Sequence, residues 1–351
     1  MTWLVTGAAG FIGSAVVRRL RADRPDDAVV SFDALTYAGR RENLARFDDD
    51  PAHTFVHGDV RDEAAVGRVF AEHDVTRVLH LAAETHVDRS LVDPRPFVET
   101  NVLGTATLLS AAASRWGRRD DVAFVQVSTD EVFGQLGATD PPFVATSPLR
   151  PRSPYAASKA GGDHLALAMF RSHDLPVVVS RCGNNYGPRQ FPEKLVPVVV
   201  GRALRGEPVP IYGRGEQVRD WIHVDDHATA LIALAEHGQP GRSYVISGGG
   251  ERRNIDLVHS LLDAVDAELG QPAGTSRELV TFVADRPGHD FRYAIDDAET
   301  RRQIGWAPRH DLDSGLRDTV RWYCNHADWY DRARADGAAF ERSWYGPRGV
   351  A

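Results

Sequence analysis

The first thirteen residues constrain this chain more than any other stretch. Thr2–Thr6 is a short apolar run that passes directly into Gly7-Ala8-Ala9-Gly10-Phe11-Ile12-Gly13, and a helical pattern continues to about Asp23. Strand, glycine-rich turn, helix is the context a dinucleotide site requires. Glycines let the backbone approach a pyrophosphate, and the helix N-terminus meets it with free N–H groups and a positive dipole end. The spacing is GxxGxxG, not the commoner GxGxxG, so the motif alone also fits an ordinary glycine-rich turn. The next strand, Ala28–Phe32, ends at Asp33, twenty residues after Gly13. An acid there suits a ribose with free hydroxyls and repels a 2′-phosphate, which favours NAD over NADP. Strands at His53–His57 and Arg77–Leu81 run into Gly58-Asp59-Val60 and Ala82-Ala83-Glu84. Small residues there leave room for a flat cofactor along the sheet edge. The alternation of strands and helices as far as Cys182 predicts an α/β fold with a Rossmann-type doubly wound parallel sheet.

With 351 residues the chain is long enough for one large α/β domain or two unequal lobes. Its two cysteines, Cys182 and Cys324, make no disulfide framework and suit a reducing, cytoplasmic setting. The net charge of −8 speaks against a general nucleic-acid surface. The short basic cluster at Arg115–Arg119 is broken by Trp116 and Gly117 and reads as a solvated helix end. No apolar run approaches the roughly 20 residues that span a membrane, and the N-terminus enters a strand with no basic-then-apolar signal segment. His80 and His86 bracket Glu84 but do not form HExxH, and there are no paired cysteines, so no metal is expected.

The chemistry is concentrated further along. An apolar strand, Val122–Val127, ends in Ser128-Thr129-Asp130-Glu131-Val132-Phe133, a hydroxyl beside two adjacent carboxylates. Tyr155 and Lys159 are spaced i, i+4, which puts both on one face of a helix. A Ser/Thr–Tyr–Lys set can take a proton from an alcohol during hydride transfer. The acid pair adds a means of removing water, because neighbouring carboxyls separate their pKa values into an acid and a base. Successive strand residues face opposite ways, so the two acids can reach one substrate only from a turn past the strand end.

These residues carry a resemblance. The stretches TGAAGFIGS (6–14), YAGRRENL (37–44), HLAAETHVDRS (80–90), NVLGT (101–105), STDEVFG (128–134), SPYAASKAGGD (153–163), NNYGPRQFPEKL (184–195), GEQVRDWIHVDDH (215–227) and RPGHDFRYAID (286–296) resemble the extended short-chain dehydrogenase/reductases. Within that family they resemble the dTDP-glucose 4,6-dehydratases. Asp-Glu after Ser-Thr, with FPEKL and RPGHD, is the specific part. Three departures are visible: Phe133 replaces a usual Tyr, Phe291 a usual polar residue, and Gly270–Leu279 reads as extra linker. None touches an expected catalytic position.

The resemblance implies oxidation of dTDP-glucose at carbon 4, loss of water across carbons 5 and 6, and hydride return to carbon 6, with recycled NAD. It implies Tyr155 as the base on the 4-hydroxyl, its pKa lowered by Lys159 and the nicotinamide charge. Thr129 would orient that hydroxyl, Glu131 take the carbon 5 proton and Asp130 protonate the leaving 6-hydroxyl. NAD would lie along Gly7, Gly10, Phe11, Ile12, Gly13 and Asp33, then Asp59, Val60, Leu81, Ala82, Ala83 and Thr100, reaching Tyr155 and Lys159. Thr85 would approach the sugar. Arg219 and Arg286 would fork onto the diphosphate and Lys194 would add a point charge. Asn185, Leu195, Pro210, Tyr212, Asn254, His289 and Tyr293 would line the rest, Tyr212 against thymine.

The second half reads as a smaller, substrate-binding α/β lobe. Asn184–Arg189 is turn-rich and unsuited to a central strand. Phe191–Leu195 is expected to open a helix, with Pro192 in its first turn, and Asp225 or Asp226 to cap the helix after His223. Val209–Tyr212 and Ser243–Ser247 read as strands, Ser247–Gly250 as a turn, and Ile255–Leu269 as an amphipathic helix. The expected division is 1–183 with 220–250 returning to it, 184–219 with 251–328 as the second lobe, and 329–351 as a tail. Helices over Pro94–Trp116 and Ser153–His173 carry apolar residues on more than one face, so a homodimer through a four-helix contact is expected. Rival readings are a nucleotide-sugar 4-epimerase, which would have no use for Asp130-Glu131, a dehydratase of UDP- or GDP-sugars, and a non-catalytic NAD-binding scaffold.

Overall fold

The computed structural model describes residues 1–285 and 288–345, with side chains in the last helix as far as Ala338. The strands are β1 Thr2–Thr6, β2 Ala28–Asp33, β3 His53–His57, β4 Arg77–His80, β5 Ala123–Thr129, β6 Val177–Cys182, β7 Asn184–Tyr186, β8 Val209–Tyr212, β9 Val218–His223, β10 Ser243–Ile246, β11 Gly250–Arg253 and β12 Val280–Val283. The α-helices are α1 Phe11–Asp23, α2 Glu63–Glu72, α3 Val87–Val92, α4 Arg95–Val98, α5 Thr105–Trp116, α6 Pro154–His173, α7 Leu195–Ala203, α8 Val224–His237, α9 Asn254–Leu269, α10 Ala298–Ile304, α11 Leu312–Asn325 and α12 Ala327–Tyr345.

Seven strands form one parallel sheet in the order β10-β6-β5-β4-β1-β2-β3. Apart from the edge strand β3, each strand is buried on both faces, as a parallel sheet covered by helices requires. The alternation is explicit: Trp3 and Val5 of β1, Val29 of β2 and Leu79 of β4 pack into one core with residues of α1 and α8. Their neighbours Leu4, Val30 and Val78 point into the opposite core with residues of α2, α5 and α6. The strand order reverses between β1 and β4. That switch point is where open α/β sheets bind ligands, at the carboxyl ends of the strands.

The second lobe holds a three-stranded sheet, β11-β9-β7, a parallel pair, β12-β8, and a separate core around Val199, Trp221, Leu261 and Tyr323. Asn184–Tyr186 is therefore a strand, on the edge of this small sheet, where a turn-rich sequence is tolerated. The chain returns to the large sheet with α8, beside α1, and β10, beside β6. Ser247–Gly249 turns and Gly250 opens β11.

Three expectations need correction. The helix over Pro94–Trp116 is interrupted by a π-helical turn, Glu99–Gly104. The helix after FPEKL begins only at Leu195, so Pro192 precedes it. Helix α8 is capped by His223, whose Nδ1 accepts from the Asp225 N–H at 3.2 Å, not by Asp225 or Asp226. Within the expected tail, α12 buries Trp329, Tyr330 and Ala333 in the second core.

Candidate active site

A cavity of about 570 Å³ opens at the switch point and runs from the first glycine loop to the end of β5. Glycine geometry shows how close the backbones come there. Gly7 has φ +66°, and a Cβ on it would lie 2.8 Å from the Ala82 nitrogen. A Cβ on Gly13 would sit 2.1 Å from the Gly7 carbonyl oxygen. Helix α1 has no side-chain cap, and Phe11, Ile12 and Gly13 of its first turn line the cavity. An uncapped helix end of this kind is suited to an anion. Asp33 closes β2 at the cavity wall and accepts from the Ala9 and Leu35 N–H groups at 2.9 and 2.7 Å. Burial raises its carboxyl, against the pull of those donors. Gly39 approaches so closely that a Cβ would lie 2.6 Å from an Asp33 oxygen. Asp59, Val60, Leu81, Ala82, Ala83 and Thr100 complete the wall. The trough fits a dinucleotide: uncapped N–H groups for phosphates at one end, an acid for a ribose beyond.

At the other end stand the proton-handling groups. Thr129 is the last residue of β5, and Asp130–Phe133 forms a single 3-10 turn immediately after it. The turn puts Thr129, Asp130 and Glu131 on one cavity with Tyr155 and Lys159 of α6. The adjacency that a strand forbids is thus met by the turn. Thr129 Oγ1 accepts from the Glu131 N–H and lies 3.3 Å from an Asp130 oxygen. Asp130 is buried, and its carboxyl is raised well above the usual range by burial, then by Glu131 and Asp220. Such a setting favours the protonated form. Lys159 Nζ donates to the Val127 carbonyl at 2.6 Å. In the protein without NAD, burial, then Glu131, Cys182 and Asp130, raise the Tyr155 phenol well above its ordinary value, and Thr129 opposes.

Of the expected substrate residues, Thr85, Asn185, Lys194 and Leu195 line this cavity. Lys194 Nζ donates to the Thr85 carbonyl at 3.0 Å. Pro210, Tyr212, Arg219, Asn254, His289 and Tyr293 lie outside it, on the second lobe beyond the acid pair. Pro210 and Tyr212 belong to β8, and Tyr212 meets the His289 ring edge-on at 6.2 Å. Arg219 lies over the Tyr293 ring at 4.3 Å and donates to the carbonyls of Val218, Asp290 and Phe291. Asn254 begins α9 with its N–H on the Gln217 carbonyl. A small hollow joins Glu131 to Arg152, Asp290 and Tyr293, linking the two groups. Arg286 lies outside the described residues.

Several residues at the site had no role in the sequence reading. Asn101, in the π turn, accepts from the Glu84 N–H and donates to the Glu84 carbonyl and Ser158 Oγ, at 2.9, 3.0 and 2.9 Å. Ser158 in turn donates to the Tyr155 carbonyl at 2.7 Å. His80, pushed down to about 3 by burial and Lys159, sits between the hydroxyls of Thr6 and Thr105. Glu193 bonds Tyr37 and pairs with Arg89, which lies 3.7 Å from the centre of the Tyr37 ring. Tyr37, Asn101 and Glu193 lie in motifs already quoted, but nothing local marks their partners. Glu84 and His86 also belong to the loop between β4 and α3. Asn101 clamps Glu84, and His86 accepts from the Arg89 N–H as the cap of α3. One signal was open to reading: the chain has only two lysines, Lys159 and Lys194, and both line the cavity. Among the described residues no group of three or more His, Cys, Asp or Glu is placed to hold a metal ion.

A doubly wound sheet with Thr129, Tyr155 and Lys159 at its dinucleotide trough defines an extended short-chain dehydrogenase/reductase. The chain belongs more narrowly to the family described as GDP-mannose 4,6 dehydratase, whose model matches residues 4–319. It is 47% identical over 348 residues to dTDP-glucose 4,6-dehydratase 1 of Escherichia coli K12, covering 95% of this chain and 96% of that one. It is 47% identical to dTDP-glucose 4,6-dehydratase of Neisseria meningitidis serogroup B, covering 97% and 98%. Among solved structures, DesIV of Streptomyces venezuelae, a dTDP-glucose 4,6-dehydratase with NAD and TYD bound, superposes with a TM-score of 0.86 at 44% identity, covering 95% and 100%. UDP-glucose 4-epimerase of Thermus thermophilus, in complex with NAD, gives 0.81 at 32% identity, covering 93% and 100%.

Proposed function

We propose that the chain is an NAD-dependent dTDP-glucose 4,6-dehydratase, which converts dTDP-glucose to dTDP-4-keto-6-deoxyglucose and water. One observation carries the reading. Asp130 and Glu131 share a turn and a cavity with Thr129, Tyr155 and Lys159. An epimerase on this scaffold needs the last three and has no work for an acid pair. The relatives' names support the same substrate. NAD, when bound, supplies a positive ring that favours the Tyr155 phenolate, and an acceptor and later donor for the hydride that moves from carbon 4 to carbon 6. Tyr155 takes the proton of the 4-hydroxyl, which Thr129 holds in line. The resulting ketone acidifies the carbon 5 proton, and Glu131 removes it. Asp130, kept neutral by burial, gives its proton to the 6-hydroxyl, which leaves as water; Glu131 returns its proton to carbon 5 as the hydride reaches carbon 6, and release of the proton held by Tyr155 makes good the one Asp130 gave up. Lys194, Asn185, Leu195 and Thr85 hold the sugar end. The residues from Pro210 to Tyr293, with Arg219 and Arg286 on the phosphates, take the nucleotide.

We assign residues 1–183, with α8 and β10, to the NAD-binding lobe and the sheet β11-β9-β7 with α9 and α11 to the substrate-binding lobe. Both cysteines are free, which supports a cytoplasmic enzyme; no helix among the described residues is long and apolar enough to cross a membrane. Incubation with dTDP-, UDP- and GDP-glucose tests the function. We expect dTDP-glucose to give a ketosugar that absorbs in alkali and has lost the mass of one water. A product of unchanged mass means an epimerase, and turnover of another nucleotide alone means a different substrate.

A further inference from the structure

Beneath Tyr155 and Lys159 lies a buried charge cluster that the mechanism leaves without a part. Lys159 and Asp163 stand one turn apart on α6, a spacing that brings Cβ atoms within about 5–6 Å. Both are buried, at 4% and 0% exposure. Arg181 of β6, equally buried, donates from Nε to Asp163 Oδ2 at 2.9 Å and from Nη1 to the Ala145 carbonyl at 3.3 Å. Its guanidinium also lies over the Phe133 ring at 5.3 Å. The other Asp163 oxygen has no hydrogen-bond donor among the described residues, although the Ser128 hydroxyl eases its charge. A buried ion pair is a poor device for stability, since its desolvation cost rivals its attraction. Its presence one turn below a functional amine invites another explanation.

An ammonium taken out of water tends to lose its proton. Burial pulls the pKa of Lys159 down, and Asp163 first, then Cys182, oppose this. The groups around the pair come from four elements. Tyr155 and Asp163 are on α6, Asp130 and Glu131 on the turn after β5, Arg181 and Cys182 on β6, and His80 on β4. His80 is neutral and Cys182 is pushed up to about 12, so neither carries charge at neutral pH. Burial raises Asp163 too, and the charge and hydrogen bond of Arg181 hold it back. Asp163 is therefore the carboxylate that favours the Lys159 ammonium, and Arg181 favours its charged form.

We propose that Asp163, clamped by Arg181, is a positioning residue for Lys159: its buried carboxylate keeps the amine charged and seated on the Val127 carbonyl. This rests on the role given to Lys159 above, but the test does not require turnover. With two lysines in the chain, ε-13C-lysine labelling yields two signals, and Lys194 serves as the internal control. In the unaltered protein the Lys159 signal should be that of an ammonium at pH 7. In Asp163→Asn its titration midpoint should fall by roughly 1–3 pH units, the shift an adjacent opposite charge produces, while Lys194 stays put. The alkaline limb of NADH formation should move down with it. The double variant Asp163→Asn/Arg181→Gln leaves no orphaned cation and should show the same shift. A merely structural role would lower the melting temperature and leave the midpoint in place. An unmoved midpoint in a folded variant, or a neutral Lys159 at pH 7 in the unaltered protein, overturns the proposal. An alkaline limb that stays in place while the Lys159 midpoint moves would count instead against the role of Lys159 in the proposed function.

Discussion

At the scale of single residues, the site is assembled from groups held away from their ordinary ionisation. Asp130 is the sharpest case, because what suits it as an acid also costs the fold. With its pKa raised in the folded state, the folded protein keeps a proton that the unfolded chain has released above about pH 4. Stability therefore falls as pH rises from about 4 toward the folded value. Asparagine has the same shape and no such penalty. We expect Asp130→Asn to melt higher than the unaltered protein at pH 7, and calorimetry at pH 4 should show the difference gone, a trade of stability for activity. The same substitution combined with Glu131→Gln should spare oxidation and block elimination. Enzyme-bound NADH should then accumulate on mixing with dTDP-glucose, seen by absorbance, while turnover drops by roughly 10²–10⁴-fold per lost group. Tyr155→Phe should give neither NADH nor product. A double variant that turns over normally would remove the acid pair from the mechanism.

Between residue and lobe, the elements act as clamps. The π turn at Glu99–Gly104 gives the helix an extra residue's worth of reach and turns Asn101 inward. From there Asn101 ties the loop at Glu84 to Ser158 of α6, and so to the backbone of Tyr155. Removing its side chain strands the Glu84 N–H and carbonyl, at about 1–3 kcal/mol. Asn101→Ala should therefore lower the melting temperature by several degrees and weaken NAD retention together, measured by thermal unfolding and by cofactor content after gel filtration. Gly13→Ala is the complementary case. Its Cβ would meet a backbone oxygen at 2.1 Å, which no side-chain motion relieves. That protein should purify without NAD. These two positions show what a sequence yields and withholds. Gly13 was legible because glycine spacing after a strand reports a backbone constraint directly, and the Asp130-Glu131 turn because adjacent acids cannot share a strand face. Asn101 was quoted within NVLGT but carried no role, since its partners lie 17 and 57 positions away. Glu193 likewise answers to Tyr37 and Arg89, far off in the other lobe. Local patterns report local geometry.

Across the whole molecule, the remaining question is which surface needs a partner. The expected surplus of apolar residues on two helices divides once folded: Leu108 and Leu109 belong to the core beneath the large sheet. Val98 and Leu103, by contrast, are 47% and 57% exposed on the α4–α5 stretch, and Leu91 of α3 is 47% exposed nearby in sequence. Large aliphatic side chains left in water on one run of helix are the signature of an interface. The stretch matters to the chemistry, because α5 and the π turn pack against α6, which carries Tyr155 and Lys159. A partner on that face would stiffen the helix that positions both. We propose a homodimer through this face. In sedimentation equilibrium at micromolar concentration the protein should behave as a dimer, and Leu103→Glu should dissociate it, since a carboxylate buried in an apolar contact without a partner is costly. A loss of 3 kcal/mol or so would weaken association about a hundredfold. The monomer so produced should keep its fold by circular dichroism and lose activity, with Tyr155 no longer firmly placed. If the unaltered protein is monomeric at that concentration, or if Leu103→Glu leaves the dimer intact, the exposed stretch serves some other end and the stiffness of α6 comes from the Asn101 clamp alone.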